Sequence, residues 1–382
     1  MGSSTAYWLS ENADYDGNVV VIEPDPTYAQ SSTALSEASI RHQFSQPVNI
    51  KLSMFATEFF SNFHNHVQVN GEAPELPFHE TGYLFLATED GMDNLIDNHE
   101  IQKECGAEVA LLSPSEIKKR FPYMETGDLE GGSLGIRHEG TLDAFSLMQG
   151  LKLRARHNGV EYLNNRVASI NIDKSKGLVK EVELDSGEVL SCSRVVNCAG
   201  PRAKWIAEMV GLELPVEPRI RAAFVFDCRE ILEGQTLPLT IDPSGVHVRT
   251  DPPHFIAGAP PVNDLEVDPD DFKVRGEEWE ENIWPVLAHR IPAFEKVKVI
   301  SSWAGHYAYN TLDQNAIIGA CETLPNFFFC NGFSGHGFQQ SPGVGRGLSE
   351  LIIYGEYRSL NLSELNYGRV LSNEPFLEKA VI

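Results

Sequence analysis

Val19-Val20-Val21-Ile22-Glu23-Pro24 is a continuous apolar run closed by an acid, the pattern of a parallel strand buried on both faces. Upstream of it, Met1-Gly2-Ser3-Ser4-Thr5-Ala6-Tyr7-Trp8-Leu9 opens with small residues and continues into an apolar face, which predicts a helix. Asp16-Gly17-Asn18 supplies the turn between the two. A small-residue helix leading into a buried strand with a terminal acid is the second half of a dinucleotide-binding βαβ unit. Its acid accepts hydrogen bonds from ribose hydroxyls about 20 residues beyond the glycine turn. Gly2 lies 21 residues before Glu23 and fits the third glycine of that turn. The expectation is therefore an N-terminally incomplete unit, without its first strand and first two glycines, that holds a dinucleotide weakly or not at all. Taken alone, the stretch also reads as an ordinary helix–strand pair whose strand happens to end in Glu.

Three further strand-to-small-residue turns join it. Arg194-Val195-Val196-Asn197-Cys198-Ala199-Gly200-Pro201 is a buried strand that stops at small residues, followed by a helix from Trp205 to Val210. Asp313-Gln314-Asn315-Ala316-Ile317-Ile318-Gly319 is a second. The third is Phe327-Phe328-Phe329-Cys330-Asn331-Gly332-Phe333-Ser334-Gly335-His336-Gly337, with a helix beginning near Gln339. A strand, a glycine turn and a helix N-terminus make a place for negative charge, because free N–H groups and the positive end of the dipole converge there. Between residues 158 and 190, short strands alternate with turn residues such as Ser186-Gly187.

Composition narrows the function classes. The 382 residues carry 30 Lys plus Arg against 54 Asp plus Glu, a net charge of −24 that repels a phosphate backbone and argues against a nucleic-acid partner. Hydrophobic residues at 42% place the chain among globular proteins. The six cysteines, at 105, 192, 198, 228, 321 and 330, include no CxxC and no zinc-ligand spacing, so they read as buried thiols. No transmembrane segment is expected: the charge-free window from Thr323 to Gly345 is interrupted by glycines and prolines. Between Asp264 and Glu281, nine acids and two bases form a solvated loop rather than a metal site.

The chain resembles, over nearly its whole length, the flavin-dependent oxidoreductases of the D-amino-acid oxidase and sarcosine oxidase superfamily. The resemblance is carried by Trp303-Ala304-Gly305-His306-Tyr307, by Tyr309-Asn310-Thr311-Leu312-Asp313-Gln314-Asn315 and by Gly332-Phe333-Ser334-Gly335-His336-Gly337-Phe338-Gln339-Gln340-Ser341-Pro342-Gly343. Arg41-His42-Gln43-Phe44-Ser45, Arg290-Ile291-Pro292-Ala293-Phe294-Glu295 and Leu214-Pro215-Val216-Glu217-Pro218-Arg219 add to it. Within the superfamily it is similar to a mitochondrial branch associated with assembly of respiratory complex I.

The resemblance implies an α/β fold class: a Rossmann-like FAD-binding domain, its first strand apparently missing, interleaved with an α+β substrate domain on a mostly antiparallel sheet. Residues 1–60, 150–215 and 300–355 would form the first, 61–149 and 216–299 the second, and 356–382 a C-terminal tail. FAD would contact Gly2, Glu23, Ser31, Ser32, Ser36, Val167, Ala199, Gly200, Gly335, His336 and Gly337. A cysteine that tethers flavin in some relatives has no counterpart at Gly305, so the FAD is expected to be non-covalent unless His42 forms a link. His336 has a second reading as a core histidine with one structural hydrogen bond.

On the substrate side, Arg41 matches an arginine that grips a carboxylate, a task suited to its planar fork. Its other reading is a structurally paired arginine. A lysine of the relatives is replaced by Gln339, which can donate a hydrogen bond but carries no charge. His247 and Tyr307 are the polar groups expected nearest the reacting carbon. Three functional classes follow: oxidation of the C–N bond of an amino acid or N-methylated amine, FAD binding in an assembly protein with little turnover, and pyridine-nucleotide dehydrogenation. The last is disfavoured by the absence of a second GxGxxG. Partners would be a small amine or amino acid and, in the second class, respiratory-chain or assembly proteins. The location would be mitochondrial in a eukaryote and cytoplasmic otherwise.

Overall fold

The computed structural model describes residues 1–228 and 236–380. From the N-terminus come α1 (Gly2–Glu11), β1 (Val20–Glu23), β2 (Ser39–Ile40), α2 (Pro47–Ser61) and α3 (Phe63–Val67). Next are β3 (Tyr83–Ala87), α4 (Glu89–Glu104), β4 (Val109–Leu112), α5 (Pro114–Arg120), β5 (Gly131–Gly135) and β6 (Gly140–Thr141). After α6 (Ala144–His157) follow β7 (Glu161–Asn164), β8 (Val167–Asp173), β9 (Leu178–Leu184), β10 (Val189–Ser191), β11 (Val195–Asn197) and α7 (Ala203–Glu208). The second half holds β12 (Val216–Cys228), β13 (Leu239–Ile241), β14 (His247–Asp251), β15 (His254–Ala259) and α8 (Trp284–Arg290). It ends with β16 (Val297–Asn310), β17 (Ile317–Ala320), β18 (Phe327–Asn331), α9 (Gly337–Tyr354) and α10 (Gly368–Ser372).

One eight-stranded sheet runs in the order β16-β12-β15-β14-β13-β3-β5-β4, antiparallel except where β13 meets β3. Its core is aromatic: the Phe226 ring lies 5.5 Å from Phe255, 5.1 Å from Phe294 and 5.3 Å from Trp279. β16 crosses the boundary expected at residue 300, because it pairs with β12 over its length, from Cys228↔Val297 to Val216↔Asn310.

The nucleotide-type layer consists of the parallel pair β1–β7 and of β11-β18-β17, in which β11 and β18 are parallel. β1 departs from the expected doubly buried strand. Val20 is 41% exposed and Val21 to Glu23 are half-buried, since among the described residues only β7 hydrogen-bonds to this strand. α1 is clamped between helices. Ala6 and Tyr7 pack with Phe59 of α2 and Leu147 and Leu151 of α6, while Leu9 packs with Val344 and Leu348 of α9. Small residues make the α1–α9 crossing possible: a Cβ on Gly345 would fall 2.3 Å from Ser4 Oγ, which itself donates to Ser341 O at 2.6 Å.

The described cysteines form no disulfide, and Cys105, Cys192 and Cys198 are only partly buried, a correction to the expectation of six buried thiols. Among the described residues no helix is long and apolar enough to cross a membrane, and no cluster could hold a metal ion.

Candidate active site

A cavity of about 1570 Å³ lies between the two layers. The structure brings every expected site residue to its wall, although they come from segments as distant as Gly2 and Gln339.

One end gathers the residues expected on the nucleotide side. Glu23 closes β1, with Oε1 accepting from Asp25 N at 3.0 Å, and burial raises its carboxyl above the ordinary value. Val167 opens β8 and Ala199 and Gly200 follow β11, all on the same wall. The first turn of α1 enters this wall with no side chain capping its N–H groups. Ser31, Ser32 and Ser36 occupy the loop between β1 and β2, which is tied down by Ser32 Oγ donating to His306 O at 2.7 Å and by Trp303 Nε1 donating to Leu35 O at 2.9 Å. Gly305 lets this loop come close, since a Cβ there would sit 2.9 Å from Leu35 Cβ.

The other end is polar. Arg41 is 4% exposed, its guanidinium 4.0 Å above the Phe44 ring, and it donates to the carbonyls of Gln43 and Ala380. Both expected readings of Arg41 therefore meet in one residue: it faces the cavity, and two of its donors are held by backbone. Gln339 acts on Arg41 through the main chain, its Oε1 accepting from Arg41 N at 2.8 Å and from Ser53 Oγ at 3.3 Å. His42 points away from the cavity and sits 3.0 Å from Thr57 Oγ1, so a link through it has no geometric support.

His336 stands at the N-terminus of α9, 3% exposed, with neither ring nitrogen hydrogen-bonded among the described residues. The single structural hydrogen bond of its alternative reading is absent. Burial, then the Arg41 charge, push its imidazole down to about 3, so the ring is neutral. Tyr307 and His247 face the same space, and burial raises the Tyr307 phenol.

Three residues here escaped the sequence reading. Glu37 lines the cavity and pairs with His247, Oε1 to Nε2 at 2.8 Å. Burial alone would raise its carboxyl, but His247 and then Arg249 outweigh it and the net direction is down. Tyr83, from β3, lines the cavity and lies close enough to Arg41, Tyr307 and Glu37 for their charges to act on it. Glu139 is fully buried behind Arg41; its oxygens accept from His42 N at 2.7 Å and Gln43 Nε2 at 2.8 Å. Burial nevertheless pushes it up to about 7. No spacing rule marks these residues, because their partners lie far away in sequence.

The residues present fit a flavin dinucleotide. The cavity exceeds the roughly 300–1,000 Å³ of a pocket for a drug-sized ligand. The helices α1 and α9 both present uncapped N-termini to it, suited to anionic groups. Both buried nitrogens of His336 lack a partner. Gly335, at φ +99°, leaves its backbone bare beside Tyr307: a Cβ would lie 2.4 Å from the ring.

Comparison with known proteins agrees. The family model described as FAD dependent oxidoreductase (DAO) matches residues 1–351. FAD-dependent oxidoreductase domain-containing protein 1 of Xenopus laevis is 38% identical across the whole chain and 83% of its own length. Mitochondrial sarcosine dehydrogenase of Homo sapiens is 29% identical over 72% of this chain and 31% of its own. Among solved structures, L-proline dehydrogenase from P. horikoshii has the same fold, with a TM-score of 0.84, 25% identity and coverage of 98% of this chain and 96% of that one. With cavity, helix termini and family match in agreement, the chain belongs to the DAO family of FAD-dependent oxidoreductases.

Proposed function

We propose that the protein oxidises the C–N bond of an amino acid or an N-methylated, secondary amine, with its FAD held non-covalently. The observation that carries this reading is the placement of Arg41 and the Glu37–His247 pair in one cavity with the Glu23 wall and the α9 N-terminus. The flavin, when bound, supplies a two-electron acceptor for the hydride leaving the α-carbon or N-methyl carbon.

The chain supplies the rest. Arg41 holds a carboxylate with the donors left over from Gln43 and Ala380, and Phe44 beneath it fixes the guanidinium plane. Gln339 fixes the Arg41 main chain and adds no charge. The α9 N-terminus, with His336 neutral above it, favours negative charge where reduction creates it. Buried Tyr83 and half-buried Tyr307 wall the same space and bring phenol groups beside Arg41 and Glu37. The relatives named sarcosine dehydrogenase and L-proline dehydrogenase act on secondary amines by name, which supports the substrate class.

A second reading, an FAD-holding assembly protein for a respiratory complex, is favoured by one observation: two donors of Arg41 already serve the protein's own carbonyls. A mitochondrial location accompanies both readings, supported by the mitochondrial label of sarcosine dehydrogenase. Acid precipitation should release the yellow chromophore. Dye-reduction assays on glycine, sarcosine, L-proline and N-methyl amino acids then decide between the readings: turnover on at least one supports the first, and none across the panel sinks it.

A further inference from the structure

The substrate end of the cavity carries one unsatisfied anion. Glu37 Oε1 is engaged by His247 Nε2 at 2.8 Å, but Oε2, though buried, has no hydrogen-bond partner among the described residues. The residue is held firmly. Its carbonyl accepts from Arg249 Nη2 at 3.3 Å, Trp303 pins the chain two residues earlier, and the His247 ring sits on Gly258, where a Cβ would fall 2.9 Å from it. A fixed carboxylate with a buried, unpartnered oxygen is a costly arrangement unless something donates to it.

The surrounding charges say what that donor is. Arg221 faces the same space but is neutralised by Asp264 through two 2.8 Å bonds, and Arg249 is paired with Asp251 at 2.8 Å. Of the cavity's charged groups here, Arg41 keeps donors for an anion and Glu37 keeps an oxygen for a cation. The two are four residues apart, so the chain allows at most about 14 Å between them, and both act on Tyr83 and Tyr307. A ligand that satisfies both ends carries a carboxylate and a positively charged nitrogen.

We propose that Glu37 is the ammonium-recognition residue of this site, with His247 as its positioning partner, and that it selects zwitterionic amino acids over their uncharged hydroxy-acid isosteres. The proposal rests on the amine-oxidation reading above and adds the group that distinguishes nitrogen from oxygen. An ammonium donating to Glu37 Oε2 makes a charge-assisted hydrogen bond; a hydroxyl of the same shape makes a weaker one and brings no charge to offset the carboxylate.

The test uses two non-oxidisable isosteres, α-aminoisobutyrate and 2-hydroxyisobutyrate. Neither has an α-hydrogen, and both offer Arg41 the same carboxylate. Titration calorimetry on the flavin-loaded protein should show the amino acid binding at least about tenfold tighter, the factor expected of one charged hydrogen bond. Glu37→Gln should bring the two within about threefold, by weakening the amino acid and sparing the hydroxy acid. Glu37→Asp, which keeps the charge, should retain most of the preference and guards against a merely misfolded variant. An unchanged preference in Glu37→Gln overturns the role of Glu37 while leaving the amino-acid site standing. Failure of the wild type to bind either compound overturns the amine-oxidation reading and this proposal together.

Discussion

Glu378 is completely buried, six residues beyond the end of α10, and replacing it with Ala should destabilise the protein by about 3–5 kcal/mol. Its carboxylate accepts from Ser45 N at 2.8 Å, Ser45 Oγ at 2.7 Å, Gln46 N at 3.2 Å and Asn49 Nδ2 at 2.8 Å. These donors surround the start of α2, whose N-cap residue Gln46 offers no side-chain cap of its own. Glu378 therefore does from a distant part of the chain what a Glu three residues into a helix does in a capping box, accepting from the N-cap N–H. Buried Ser45 N would lose its acceptor at about 1–3 kcal/mol, half-buried Gln46 N would lose less, and Asn49 Nδ2 would keep only Asn315 Oδ1; the relief of no longer burying a carboxylate offsets part of that sum. Glu378→Gln, which keeps one acceptor oxygen, should lose roughly half as much. Urea unfolding followed by tryptophan fluorescence measures both, read as a lower midpoint at unchanged slope. A loss below about 1 kcal/mol in Glu378→Ala would show that water replaces the carboxylate and would refute the capping argument.

Arg41→Ala should raise KM for a carboxylate substrate by the equivalent of roughly 1.5–3 kcal/mol; steady-state kinetics showing an unchanged KM would remove Arg41 from the site. Glu139 is raised to about 7 in the fold against 4.5 when exposed, so between those values the native state holds a proton the unfolded state has lost. Stability should therefore fall as pH rises from 4.5 through 7, by about 3 kcal/mol from this group, and Glu139→Gln should flatten that slope in unfolding titrations at pH 5 and 7.5. His336→Leu breaks no hydrogen bond among the described residues and should cost less than about 1 kcal/mol of stability in the same assay, while lowering the flavin content of purified protein. Full flavin occupancy in that variant would return His336 to the role of core filler.

Local pattern made the strands and the cofactor wall legible, because burial on a strand follows immediately from consecutive apolar residues, as at Phe327–Asn331, where all five residues are buried. β1 misled for the same reason: Val20 is as apolar as its neighbours, but its exposure depends on how many strands lie beside it, which no window of six residues records. Arg41 and Gln339 were found as separate signals, yet their contact runs through the Arg41 amide and not through a shared substrate. Glu37, Glu139 and Glu378 look like ordinary solvated acids in the sequence. Their burial is set by partners 210, 97 and 333 positions away, at His247, His42 and Ser45. Residues 356–382 are expected only as a C-terminal tail, and within it Leu377 O accepts from Gln46 Nε2 at 2.8 Å and Phe376 N donates to Asp313 Oδ2 at 2.9 Å.

The bond from Arg41 to the Ala380 carbonyl spans 339 positions, and it sets a clock on biosynthesis. At about 5–20 residues per second, a newly made Arg41 waits roughly 20–70 s before its partner leaves the ribosome. During that interval α1 and α2 also lack α9, against which both must pack. α1 and α2 therefore carry exposed apolar surface until α9 has been made, a natural target for holding chaperones.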